Sequence, residues 1–269
     1  MRLLFIGDVV GKPGRDIIVR ALPGLIVAEA LDVVIANAEN AAGGSGLTPS
    51  IYRDLLAAGV DGITLGDHVF RRKEILPILA SETNIVRPAN LPDEAAGRTW
   101  AVVTARSGAR VGFCCLLGRL FMIPSENPWR TADIVLAQIP SDVRIRFVDF
   151  HVEATSEAQL MGRYLDGRVS AVLGTHTHVA TADEQILPGG TAFQCDVGMT
   201  GPYDSILGRR VDRVMETTLT SMPTAFDVAT GDVRLCGSIV EIDDQSGRAT
   251  AIRRVCVDEK RASELATKA

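Results

Sequence analysis

An α/β fold built on parallel strand pairing is predicted by three features of the sequence. Short apolar runs alternate with helical periodicities through the first third of the chain, the pattern of βαβ units. Each of the early runs ends in a tight turn that carries an acid, an amide or an imidazole. All four histidines, His68, His151, His176 and His178, fall in the turns where strand-like segments end. Histidines serving only as surface residues would not collect there.

The elements follow in order. Leu3 to Ile6 is a buried, parallel-type strand ending at Gly7 and Asp8. Gly11 to Gly14 reads as a turn, and Arg15 to Leu31 as a helix interrupted around Pro23 and Gly24. Val33 to Ala36 is the second strand, leading into Asn37-Ala38-Glu39-Asn40 and a small-residue loop, Ala41 to Gly46. Thr48 caps a helix with Pro49 at its first position, running to Ala58. Ile63 to Leu65 is the third strand, closed by Gly66-Asp67-His68, and Arg71 to Leu79 is the next helix. Thr99 to Ala105 and Arg110 to Leu116 form a hairpin around Ser107 and Gly108. A helix over Trp129 to Ala137 precedes a strand over Val143 to Phe150 and His151. Thr155 to Leu165 is helical, with a weak capping-box neighbourhood. Val169 to Leu173 is a strand that delivers Gly174-Thr175-His176-Thr177-His178. Short strands then dominate: Gln185 to Leu187, Ala192 to Cys195, Cys236 to Ile242 and Ala249 to Val255. Residues 256–269 form a polar tail ending in a frayed helix.

Composition sets limits. With 46% hydrophobic and 23% charged residues, the 269-residue chain can bury a large core, and no linker-like stretch divides it, so a single domain spanning 1–269 is expected. A net charge of −5 argues against binding nucleic acid or membrane through a broad basic surface. A small phosphorylated substrate is compatible, because a metal can supply positive charge locally. The five cysteines have no CxxC spacing and read as core residues of a reducing compartment. With no signal peptide and no stretch of about 18 apolar residues, the expected location is the cytoplasm.

Ligands of open α/β sheets collect outside the carboxyl ends of the strands. Standing there are Asp8, Glu39, Asn40, Asp67, His68, His151, His176 and His178. Mixed carboxylates and imidazoles suit borderline divalent ions such as manganese, iron or zinc better than calcium. Eight candidates exceed the needs of one tetrahedral ion, whereas two ions sharing a carboxylate would use them. The His-x-His loop is the least ambiguous feature. Singly the others have plainer readings: Asp8 as a helix cap, Asn40 as a turn residue, His151 as a hydrogen-bonded core histidine. The Gly7 to Pro13 stretch is no phosphate loop, since the spacing is one short and Pro13 stands where Ser or Thr is needed. No Gly-x-Ser-x-Gly elbow is present.

Gly7-Asp8, Asn37 to Asn40, Gly66 to His68, Asp149 to His151 and Gly174 to His178 together resemble the motif series of calcineurin-like metallophosphoesterases. The nearer likeness is to the bacterial YmdB-type 2′,3′-cyclic-nucleotide 2′-phosphodiesterases, carried also by Gly11 to Gly14, His151 to Ser156, Ile186 to Thr191 and Asp196 to Pro202. The resemblance runs in unbroken order from Met1 to about Val255. It implies a four-layer αββα sandwich with a dinuclear site at the carboxyl ends of its strands. It also implies two divalent ions per chain, iron or manganese, one held by Asp8, Glu39, Asn40 and His178. Glu39 would bridge to the second, held also by Asp67, His151 and His176, and His68 would protonate the leaving oxygen. The implied substrate is a cyclic nucleotide, with RNA-derived ends as a further source and a homo-oligomer as the assembly. One residue departs from the pattern: the family has Asn where this chain has Asp67, which adds a charge expected to hold the second ion more tightly and slow turnover. Two alternatives are a broad-specificity phosphomonoesterase or phosphodiesterase on the same site, and a weakly catalytic metal-binding regulatory or RNA-associated protein.

Overall fold

The computed structural model describes residues 1–267. Its first sheet is built from β1 (Arg2–Ile6), β2 (Val33–Asn37), β3 (Gly62–Thr64) and β4 (Ile85–Val86), all parallel. It is extended antiparallel from β1 by the long strand β12 (Gly231–Ile242), which also pairs with β11 (Gly201–Asp204) and β13 (Ala249–Asp258). The second sheet has the order β5 (Trp100–Thr104), β6 (Arg110–Leu117), β7 (Ile145–His151), β8 (Ala171–Thr175), β10 (Ala192–Gln194), β9 (Gln185–Ile186). Its middle is parallel and its two outer pairs are antiparallel, the first being the expected hairpin.

The apolar runs are continuous because both faces of each sheet are covered. Leu3 and Phe5 of β1 point between the sheets, where Phe5 meets Phe147 at 4.7 Å between ring centroids. Leu4 and Ile6 point the other way, against α1 (Gly11–Glu29) and α2 (Pro49–Ala57). The far face of the second sheet packs on α4 (Pro128–Gln138) and α5 (Thr155–Leu165). Helix, sheet, sheet, helix is the αββα order expected. The parallel strands of both sheets point their carboxyl ends at one edge, which brings residues far apart in sequence to one place.

Several boundaries differ from the sequence reading. Helix α1 opens at Gly11 rather than Arg15, because Pro13 sits in the first turn, where no N–H needs an intrahelical partner, and the Gly14 N–H donates to the Val10 carbonyl at 3.1 Å. It also runs unbroken through Pro23. The carbonyl that Pro23 leaves unpaired belongs to Val19, which is exposed to water. The helix expected over Arg71 to Leu79 is a 3₁₀ turn, Lys73–Ile75, followed by α3 (Leu76–Ser81). Thr48 does occupy the N-cap of α2 but makes no side-chain cap bond, and α5 has no capping box. β12 begins at Gly231, five residues before the expected Cys236. Three elements went unforeseen: β4, β11 and α6 (Val211–Thr220).

The closing segment is a docked helix rather than a frayed tail. Asp258 caps α7 (Glu259–Ala266) by accepting from the Arg261 N–H at 2.7 Å, and Ala262 and Leu265 are buried against α1. Contact is close enough that a Cβ on Gly24 would run into the Leu265 carbonyl. Gly24→Ala is therefore expected to lower the unfolding free energy by about 1–3 kcal/mol in a denaturant titration, although alanine would favour an isolated helix by about 0.5–1 kcal/mol. A variant as stable as the parent would show that α7 does not rest there.

Candidate metal centre

All eight residues singled out from the sequence meet at the shared strand edge. Asp8 follows β1, and its Oδ2 accepts the backbone N–H of His176 at 2.9 Å. Glu39 follows β2, and its Oε2 accepts the backbone N–H of His68 at 2.8 Å. The carboxylates thus fix the two histidine-bearing loops as well as facing the site. Asp67 Oδ1 lies 3.2 Å from His151 Nε2, and so does Glu39 Oε1. His176 Nδ1 is 3.1 Å from His151 Nε2, the two rings meeting edge to face. One ligand atom from each of Glu39, Asp67, His151 and His176 falls within 4.8 Å of all the others.

The second group adjoins it. Asn40 Nδ2 lies 3.3 Å from His178 Nε2, 3.2 Å from Glu39 Oε1 and 3.5 Å from Asp8 Oδ1, while His178 Nε2 is 3.8 Å from that same Asp8 oxygen. Asn40 Oδ1 is turned instead to His68 Nδ1, at 2.7 Å. His68 is the most exposed of the four histidine side chains, at 28%.

Local backbone serves this convergence. Gly66 is required because a Cβ there would run into Glu39 Oε2 and His151 Nε2. His176 and His178 hold φ values of 104° and 65°, a left-handed region that costs a residue with a side chain of order 1–3 kcal/mol. The loop is clamped in that shape by Asp196, whose Oδ2 accepts the Thr177 N–H at 2.9 Å and its hydroxyl at 2.8 Å.

Asp149 lies beneath this cluster. It is fully buried in β7 and accepts bonds from Thr64 Oγ1 (2.5 Å), Thr175 Oγ1 (2.7 Å) and Asn37 Nδ2 (3.0 Å). Thr175 Oγ1 in turn sits 2.8 Å from His151 Nδ1, so a carboxylate-hydroxyl-imidazole chain sets the ring's orientation. Burial pushes Asp149 up to about 6 despite these donors. Sequence reasoning did not assign roles to Asp149, Thr175, Asn37, Thr64 or Asp196. A carboxylate inside the apolar run Phe147 to Phe150 was the available signal. Glu153, 3.3 Å from His176 Nε2, was also missed and carried none.

The donor set fits a divalent cation. Asp8, Glu39 and Asp67 pair with no lysine or arginine among the described residues, only with imidazoles. Burial works to raise Glu39 and Asp67, yet the His151 imidazole holds both below the usual carboxylate range. Burial works against charge on His151 in turn, and the Glu39 carboxylate still pushes it well above the ordinary imidazole value. Carboxylates and imidazoles packed this closely, with more negative charge than one imidazolium offsets, form the chemistry that borderline metals bind.

Comparison with known proteins agrees over nearly the whole chain. A 2′,3′-cyclic-nucleotide 2′-phosphodiesterase of Bacillus subtilis (strain 168) is 45% identical, covering 96% of this chain and 98% of that protein. A crystal structure of a hypothetical protein from Thermus thermophilus superimposes with a TM-score of 0.89 at 41% identity, covering 96% of this chain and all of the other. A structure described as a novel phosphatase from Mycoplasma pneumoniae gives 0.89 at 32% identity, covering 96% and 93%. The model of the YmdB-like protein family matches residues 4–255, and the chain belongs to that family.

Proposed function

We propose that the chain hydrolyses 2′,3′-cyclic nucleotides to 3′-nucleotides, using two divalent ions, iron or manganese. The observation that carries this reading is the meeting of Glu39, Asp67, His151 and His176 within 4.8 Å, with His68 beside them. The phosphodiesterase name of the Bacillus subtilis relative supports the substrate class. Asp8, Glu39 and His178 would hold one ion, with Asn40 joining them only through Oδ1, the atom that here faces His68 Nδ1, and Glu39, Asp67, His151 and His176 would hold the other. Divalent ions held there would supply Lewis acidity and positive charge facing the phosphoryl group.

The chain's own residues do the rest. The Asp149–Thr175–His151 chain and the Asp196 clamp hold the imidazoles in place, so little reorganisation accompanies the reaction. His68 Nδ1 is engaged by the Asn40 oxygen, which leaves Nε2 to carry a proton to the departing 2′-oxygen. Cleavage of the P–O2′ bond, with water's oxygen added to phosphorus, yields the 3′-phosphate and a free 2′-hydroxyl.

The test is hydrolysis of 2′,3′-cyclic AMP by purified protein, with metal content measured on the same sample. Two ions per chain and a 3′-AMP product, both lost on chelation, are expected. A panel with 3′,5′-cyclic and monoester substrates separates this reading from a broad phosphoesterase. Neither metal nor turnover after reloading with manganese or iron would sink it.

Asp67 offers a finer prediction. Asp67→Asn is expected to release the second ion about 30-fold more readily in chelator competition, and to turn over faster once saturated with metal. Two unit charges 4 Å apart interact by about 1 kcal/mol even in bulk water, and a divalent ion doubles that. Unchanged metal retention and rate would show that the extra charge is silent.

A further inference from the structure

Away from the metal edge, Cys236 of β12 lies directly opposite Cys256 of β13, with the sulfurs 3.4 Å apart. The Cys236 N–H donates to Thr200 Oγ1, and its carbonyl accepts from Thr200 Oγ1 and the Gly7 N–H. Both backbone groups thus face away from β13, which makes Cys236 and Cys256 a non-hydrogen-bonded pair. Such pairs bring the Cα atoms to about 4.5 Å, inside the span of about 4.4–6.8 Å that a disulfide accepts.

We infer that Cys236 and Cys256 form a thiol–disulfide modification site, closing to a cross-strand disulfide when a small-molecule disulfide such as oxidised glutathione is present. Cys256 is exposed and Cys236 buried, so the first is the attacking thiol and the second the resolving one. The hydrogen bond from Cys236 and the nearby Arg234 guanidinium bring Cys256 down to about 6, favouring its thiolate. Arg234 is held in place by stacking on Tyr203, whose hydroxyl donates to Cys236 Sγ at 3.2 Å. The remaining cysteines are buried, and burial pushes Cys114 and Cys195 up to about 12 and Cys115 well above its ordinary value. Reaction is thereby confined to the pair.

The steps balance. Cys256 thiolate attacks one glutathione sulfur, forming a mixed disulfide and releasing the other glutathione as a thiolate. Cys236 gives its proton to solvent and its sulfur attacks Cys256 Sγ, expelling the second glutathione. Two electrons pass from the cysteine pair to the glutathione disulfide. The closed bond would tie β13 to the strand whose Cys236 carbonyl anchors Gly7, the residue before Asp8.

The experiment incubates the reduced, manganese-loaded full chain with oxidised glutathione, quenches in acid, and alkylates the denatured protein with N-ethylmaleimide. Mass spectrometry is expected to show a disulfide-linked peptide pair containing Cys236 and Cys256, with Cys114, Cys115 and Cys195 alkylated. Cys236→Ser should leave glutathione trapped on Cys256, and Cys256→Ser should form no adduct on Cys236. Alkylation of every cysteine, or glutathione persisting on Cys256 in the unaltered chain, would overturn the inference.

Discussion

Glu39→Gln is expected to lower kcat for 2′,3′-cyclic AMP by about 10²–10³-fold, the scale reached when one preorganised electrostatic contact is removed from an active site. Glutamine keeps the volume and a carbonyl oxygen, so the Gly66 turn need not move and the His68 N–H retains an acceptor. What is lost is the charge. Glu39 is the residue common to both proposed ligand groups, 3.2 Å from His151 Nε2 on one side and 3.2 Å from Asn40 Nδ2 on the other. Its neutralisation should therefore deplete both ions, read by elemental analysis alongside the rate. Loss of activity with two ions retained would assign Glu39 a role other than holding metal. Full activity with full metal would dismantle the proposed centre.

The proposed ligands could be picked out in the sequence because they obey a geometric rule. A parallel strand must end in a turn, and in this chain those turns carry Asp8, Glu39, Asn40, Asp67, His176 and His178. What was illegible depends on contacts between strands. Asp149 shows its meaning only when Thr64 of the first sheet and Thr175 of the second are brought to its two oxygens. Asp196 matters because it reaches back to Thr177, nineteen positions earlier in the chain. In the fold, β4 has two residues and β11 four, too short for a period to register. Helix α6 buries none of its residues, so no core stripe marks it. The closing helix was expected to fray because its sequence is polar, yet two side chains, Ala262 and Leu265, suffice to dock it where Gly24 leaves room.

His68→Ala should separate chemistry from metal binding. Its ring lies outside the tight cluster of Glu39, Asp67, His151 and His176, so metal content is expected to stay at the parent level. Its backbone N–H still reaches Glu39 after the substitution, which preserves the loop. General acid catalysis by a positioned side chain contributes typically about 10²–10⁴-fold, and a loss of that size is expected for 2′,3′-cyclic AMP, whose ribose alkoxide leaves poorly without a proton. A p-nitrophenyl phosphodiester releases a stable phenolate and needs little such help, so its rate should fall far less. The ratio between the two substrates is the diagnostic. Equal losses on both would mean that His68 acts through its contact with Asn40 Oδ1, steadying the Asp8 and His178 side of the centre, and does not transfer the proton. A selective loss on the poor leaving group, with metal intact, places the proton on His68 Nε2.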